Sequence, residues 1–155
     1  MNIIRNEQQA SLNALGIALQ ESVDHFHYAI DILEKSTEKA LMEELASNRQ
    51  AFVERVDAAL RELGELPGKP DDDRETVANL IHRLTALFAS DGASKIIEQR
   101  LVAEQHLAGL AADARQSGVE GKTRELVDDV ALHIQDATDQ LQAALRHHEK
   151  ATNES

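Results

Sequence analysis

The stretch Leu12-Asn13-Ala14-Leu15-Gly16-Ile17-Ala18-Leu19-Gln20-Glu21-Ser22-Val23-Asp24-His25-Phe26-His27-Tyr28-Ala29-Ile30-Asp31-Ile32-Leu33 decides the fold. Leu12, Leu15, Leu19, Ser22, Phe26, Ala29 and Leu33 recur at steps of three and four, which aligns them along one face of an α-helix. A half-buried strand would alternate residue by residue, and this stretch does not. A helix with a single apolar stripe cannot bury that stripe alone, so the rest of the chain must supply partners for it.

Those partners follow in order. Ser36-Thr37 is a helix cap, and the stripe after it runs Leu41, Leu45, Asn48, Phe52, Val56, Ala59 and Leu63 up to a natural stop at Gly64. Leu66-Pro67-Gly68-Lys69-Pro70 breaks the pattern, and Asp72 with Glu75 makes a capping box for a shorter helix striped by Val77, Leu80, Ile81, Leu84, Leu87 and Phe88. Ser90-Asp91-Gly92 ends it and Ser94 opens the next, which carries Ile97, Ala103, Leu107, Ala111 and Ala114 as far as the turn at Ser117-Gly118. After Gly121 the last stripe is Val127, Val130, Ile134, Ala137, Leu141 and Ala144, with His147-His148-Glu149 expected to fray. The reading is all-α: long helices near 7–35, 38–63, 94–116 and 121–148 and a short one near 73–89. Residues 1–150 form one domain and 151–155 a polar tail. Tight turns make each pair of long helices an up-down hairpin, and the connection between the hairpins is long enough either to cross the bundle end or to travel its length.

Composition narrows the function classes. The chain has 155 residues, 16 Lys+Arg against 28 Asp+Glu for a net charge of −12, and no cysteine. Disulfides, thiolate metal sites and thiol catalysis are thereby excluded, and the acidic balance opposes phosphate-mediated binding of nucleic acid. No helix has a Lys/Arg-rich polar face that would hold it to anionic lipid. Met1-Asn2-Ile3-Ile4-Arg5 meets charge at once, and no apolar run reaches the length of a signal peptide or membrane span, so a cytoplasmic protein is expected. No glycine-rich phosphate loop or nucleophile elbow is present.

Several segments together resemble an uncharacterised bacterial family of ferritin-like four-helix bundles. They are Leu12-Asn13-Ala14-Leu15, Glu43-Glu44-Leu45-Ala46-Ser47-Asn48-Arg49-Gln50-Ala51-Phe52, Leu63-Gly64-Glu65-Leu66-Pro67, and His82-Arg83-Leu84 through Ile97-Glu98. The Arg49/Phe52 spacing and His82-Arg83 are the most specific of these. The resemblance implies hairpins joined by a long crossover containing the short extra helix, and it implies no particular reaction. Members tend to carry Glu just before the helix-two Arg, where this chain has Asn48, and around the third long helix's acidic cluster it has Ala103-Glu104.

A carboxylate-bridged two-metal bundle needs inward Glu residues on two helices and Glu-x-x-His on the other two, and this chain contains no Glu-x-x-His. Asp24-His25-Phe26-His27 offers Asp-x-x-His, but Asp24 falls opposite the stripe. Counting back from the turns at about 1.5 Å per residue brings His25, Asn48, Glu104 and His133 to one level of the bundle. Two readings follow. One is a mononuclear site for iron, zinc or manganese held by His25, Glu104 and His133. The other is a structural polar layer in which Asn48 fixes register and Arg100 pairs with Glu104 one turn away. The second reading requires no cofactor and leaves a non-catalytic bundle that works by binding a protein partner or by forming a homo-oligomer. Phe26 and Phe52 sit mid-stripe and are expected in the core. His106 falls on an outward face, and Gly16 and Gly109 lie inside helices, where either close helix contact or neutrality would explain them.

Overall fold

The computed structural model describes residues 3–33, 37–68 and 92–154. They form four helices, α1 (Ile3–Leu33), α2 (Thr37–Glu62), α3 (Gly92–Gln116) and α4 (Gly121–Glu154), and no strand among the described residues. The short helix expected near 73–89, with its capping box and His82, lies outside the described residues, as does Ser36.

Periodicity placed α1 correctly in rotation, since all seven members of its stripe are buried, although the helix begins at Ile3, four residues before the expected start. In α4, Val127, Val130, Ile134, Ala137 and Leu141 are likewise buried. α2 differs. Its buried face is Met42, Leu45, Ala46, Arg49, Val53, Val56, Ala59 and Leu60, while Asn48 is exposed and Leu41, Phe52 and Leu63 are half-buried at the edges. The helix is turned by about one residue from the expected stripe. A guanidinium at position 49 would normally be left outside, but here it has partners in the core. The end of α4 also departs from expectation: the helix continues through the His147-His148-Glu149 segment to Glu154. His148 Nδ1 lies 3.3 Å from Glu38 Oε1, with both side chains largely covered, so the end of α4 is tied to the start of α2.

Gly64 closes α2 in the left-handed conformation, φ 81°, with the Glu65 amide donating to the Leu60 carbonyl and the Gly64 amide to Arg61. These two bonds satisfy carbonyls at the helix end that would otherwise lack partners. Gly16 marks the close approach of α1 and α2, since a Cβ there would meet Val56 Cγ1 at 3.1 Å; at Gly109 a Cβ would meet nothing within 4 Å, so no close helix contact accounts for that glycine.

The helices that pack side by side are α1 with α2, α3 with α4, α1 with α3, and α2 with α4, so α2 and α3 face each other across the bundle axis. Direction follows from end-to-end hydrogen bonds. Gln9 Nε2 donates to the Leu63 carbonyl and Gln8 Nε2 to the Gly118 carbonyl, which brings the start of α1 to the ends of both α2 and α3. Hence α2 and α3 are parallel, and Leu63 and Gly92 stand at opposite ends of the bundle, about 37 Å apart for a helix of α3's length.

The core is divided. One apolar cluster joins Leu12, Leu15 and Leu19 to Val56, Leu60, Val127 and Ile134, and the other joins Phe26 to Met42, Leu45, Ile96, Ile97 and Leu141. Between them the inward positions are Ser22, Arg49, Arg100, Glu104 and His133.

Candidate functional site

Each helix contributes to this layer one turn of its inward face: Ser22 and His25 from α1, Arg49 from α2, Arg100 and Glu104 from α3, and His133 from α4. Arg49 and Glu104 have side chains with no solvent exposure. Their contact is bidentate. Arg49 Nη1 donates to Glu104 Oε2 at 2.7 Å, and Nη2 donates to Oε1. Nη1 also reaches Ser22 Oγ at 2.5 Å, and Nε donates to His133 Nε2 at 3.1 Å. Burying two opposite charges costs several kcal/mol per ion, and only geometry of this kind, with the remaining protons satisfied, offsets that cost. Because the pair crosses the bundle axis, it links α2 and α3, which do not pack side by side.

The bond from Arg49 fixes the state of His133. A ring nitrogen that accepts must be unprotonated, so His133 is neutral and carries its proton on Nδ1. Burial and then the Arg49 charge hold its pKa down to about 4. The ring stacks on Phe52 with centroids 4.8 Å apart, and the Arg55 guanidinium lies 5.2 Å from the Phe52 centroid, with Arg55 paired to Asp129 at 3.0 Å. Phe52 is therefore a half-buried lid over His133, in the groove between α2 and α4, packed against the edge of the core and not enclosed within it as expected. Phe26 has the core role. It is fully buried, with Arg49 and Arg100 at 5.1 and 5.9 Å from its ring centroid.

Arg100 stands apart. It is 5% exposed, yet its Nη1 is a buried donor with no acceptor. Among the described residues no ion pair joins it to Glu104, because both oxygens of that carboxylate face Arg49. The expected i, i+4 pair is thus replaced by a pair between helices. Burial lowers the Arg100 pKa to about 10, opposed by the Glu104 charge and assisted by that of Arg49. His25, beside it on α1, is held down to about 4 by burial and then by the Arg100 charge.

The sequence placed His25, Glu104 and His133 at one level, and the structure brings all three to the layer, but on separate duties. Glu104 binds Arg49, His133 accepts from Arg49, and His25 lines a cavity between α1 and α3 with Arg100. Asn48, expected within the layer, is exposed on the rim of the α2/α4 groove. Arg49, which the sequence reading names only as a motif residue of the resemblance, has no assigned place in the expected layer, although it lies four residues from Leu45 and from Val53 and fits the stripe as well as Asn48 does. Asp24 is exposed as expected and accepts from Gln20 Nε2. Among the described residues, no group of three or more His, Asp or Glu side chains is arranged to hold a metal ion. No described helix is long and apolar enough to cross a membrane. Compared with family models, with curated proteins and with solved structures, the chain returns no match.

Proposed function

We propose that this chain is a ferritin-like bundle in which a permanent ion pair occupies the position of a metal centre, and that it acts without catalysis, through its surface, on a protein partner or a second copy of itself. The observation that carries this reading is the commitment of both Glu104 oxygens to Arg49. A two-metal centre needs several inward carboxylates to balance the cations, whereas this layer presents one carboxylate and two guanidiniums. Adding a divalent cation would place it against Arg49 and Arg100 at short range in a poorly screened interior. Parallel α2 and α3, joined by a connection between opposite ends of the bundle, support the ferritin-like topology.

A surface role is supported by the α2/α4 side, where Leu132 is 70% exposed beside the groove lined by Ala51 and Phe52. Anaerobic loading with ferrous iron, followed by desalting and elemental analysis, tests the central step. The expected result is far less than one iron per chain. Two tightly held irons, lost on Glu104→Gln, would overturn the reading in favour of iron oxidation or storage. Sedimentation of the full chain over a range of concentrations then separates self-association from a role that needs a different partner.

A further inference from the structure

We propose that the cavity between α1 and α3 at the level of the charged layer binds a small monovalent anion, seated on the guanidinium of Arg100. The cavity is lined by Glu21, Ser22 and His25 from α1 and by Arg100, Ala103 and His106 from α3. Within it stands the one buried charge of the layer that lacks a partner. Arg49 and Glu104 cancel each other, and both histidines are neutral near pH 7, so Arg100 leaves the layer with one positive charge in excess. An uncompensated buried charge is among the costliest features a core can carry. Its orphaned Nη1 proton is a specific place for an acceptor to dock.

The neighbouring groups supply further donors. Ser22 Oγ accepts from Arg49 Nη1, which leaves its own O–H free to donate. His25, neutral, carries one ring N–H. Three donors of which one is charged suit an anion better than a neutral solute. Charge sets the valence: one excess positive charge matches one negative charge. Size is set by Ala103 and Ser22, whose short side chains leave room for an ion of few atoms. Chloride, nitrate and formate meet these conditions. The site is independent of any partner on the protein surface, so its failure would leave the proposed function standing.

Side-chain nitrogen resonances of Arg100 in the full-length protein provide the test, recorded while chloride, nitrate or formate replaces gluconate at fixed ionic strength. Saturable shifts of Arg100 are expected, with no such response in gluconate alone. Saturation by chloride only assigns a halide site, and saturation by nitrate and formate as well assigns a site for planar oxyanions. Ala103→Leu fills the cavity from α3 while keeping the Arg100 guanidinium and should weaken the midpoint at least tenfold. In Arg100→Met the His25 ring resonances should no longer respond. Shifts that stay linear and equal in all salts, with no change on Ala103→Leu, would mean that the Arg100 donor is simply hydrated and would overturn the proposal. The wild-type titration decides the matter even if the Arg100 variant does not fold.

Discussion

The two sides of the charged layer solve the same problem differently. On the side toward α2 and α4, Arg49 is enclosed, bonded through all three guanidinium nitrogens to Glu104, Ser22 and His133, and its ring neighbours are locked in a stack of His133, Phe52 and Arg55. On the side toward α1 and α3, Arg100 has the Phe26 face and a neutral histidine but an unpaired buried donor and a cavity beside it. Two arginines in one layer therefore carry opposite energetic signs. Arg49 is stabilised by its partners and expensive to disturb, whereas Arg100 holds a buried charge that the protein alone does not compensate.

That contrast is most exposed by removing the carboxylate that holds Arg49. Glu104→Gln strands the buried Arg49 guanidinium beside Arg100 with no carboxylate left in the layer, and unfolding in denaturant should show a loss of about 3–5 kcal/mol. A loss below about 1 kcal/mol would mean that Glu104 does not compensate Arg49. The aromatic residues on the two sides should differ as well. Truncating the fully buried Phe26 to Ala should cost about 3–5 kcal/mol, while the half-buried Phe52 should cost about 1–2 kcal/mol and mainly free the His133 ring. Equal costs would erase the distinction between core ring and lid.

Acid should weaken both sides together. His25 and His133 titrate near 4 in the folded chain and near 6.5 when unfolded. Between these values the unfolded chain binds protons that the folded one refuses, so stability present above pH 6.5 declines as pH falls toward 4 and these two residues cause no further loss below that. Their partial exposure reduces the effect to about 2 kcal/mol in all. His133→Phe should remove roughly half of the slope, and an unchanged slope would place the proton uptake elsewhere. The smallest effect is expected at Arg100. Arg100→Met discards an unpaired donor and a lone charge, so in a buffer free of small anions stability should stay within about 1 kcal/mol of wild type or rise. A loss comparable to that of Glu104→Gln would show that Arg100 is as firmly partnered as Arg49.

Much of this was legible in the residues, and the reasons for what was not are physical. The α1 stripe could be assigned in rotation because its inward residues are apolar save Ser22, and the level of the layer could be assigned because tight turns and a fixed helical rise tie His25, Glu104 and His133 together. The rotation of α2 was not legible. Leu45, Val56 and Ala59 fit two stripes, one through Asn48 and Phe52 and one through Arg49 and Val53, and ordinary preference keeps Arg outside. What turns the helix is a carboxylate 55 residues away on a helix across the axis, and no local pattern carries that pairing. For the same reason Arg100 was matched to the nearest carboxylate on its own helix. The extension of α4 likewise depends on a contact between His148 and Glu38 at the far end of another helix.

A double-mutant cycle on Arg49 and Glu104 tests the central claim most directly. Arg49→Met and Glu104→Leu are each expected to lose about 3–5 kcal/mol in denaturant unfolding, because each leaves the other charge stranded in the core. The double variant, which replaces the pair by side chains of similar volume, should recover most of that loss, a coupling of at least about 2 kcal/mol. Losses that simply add would contradict the account, since they would show that the two residues are stabilised separately and that no ion pair holds the middle of the bundle.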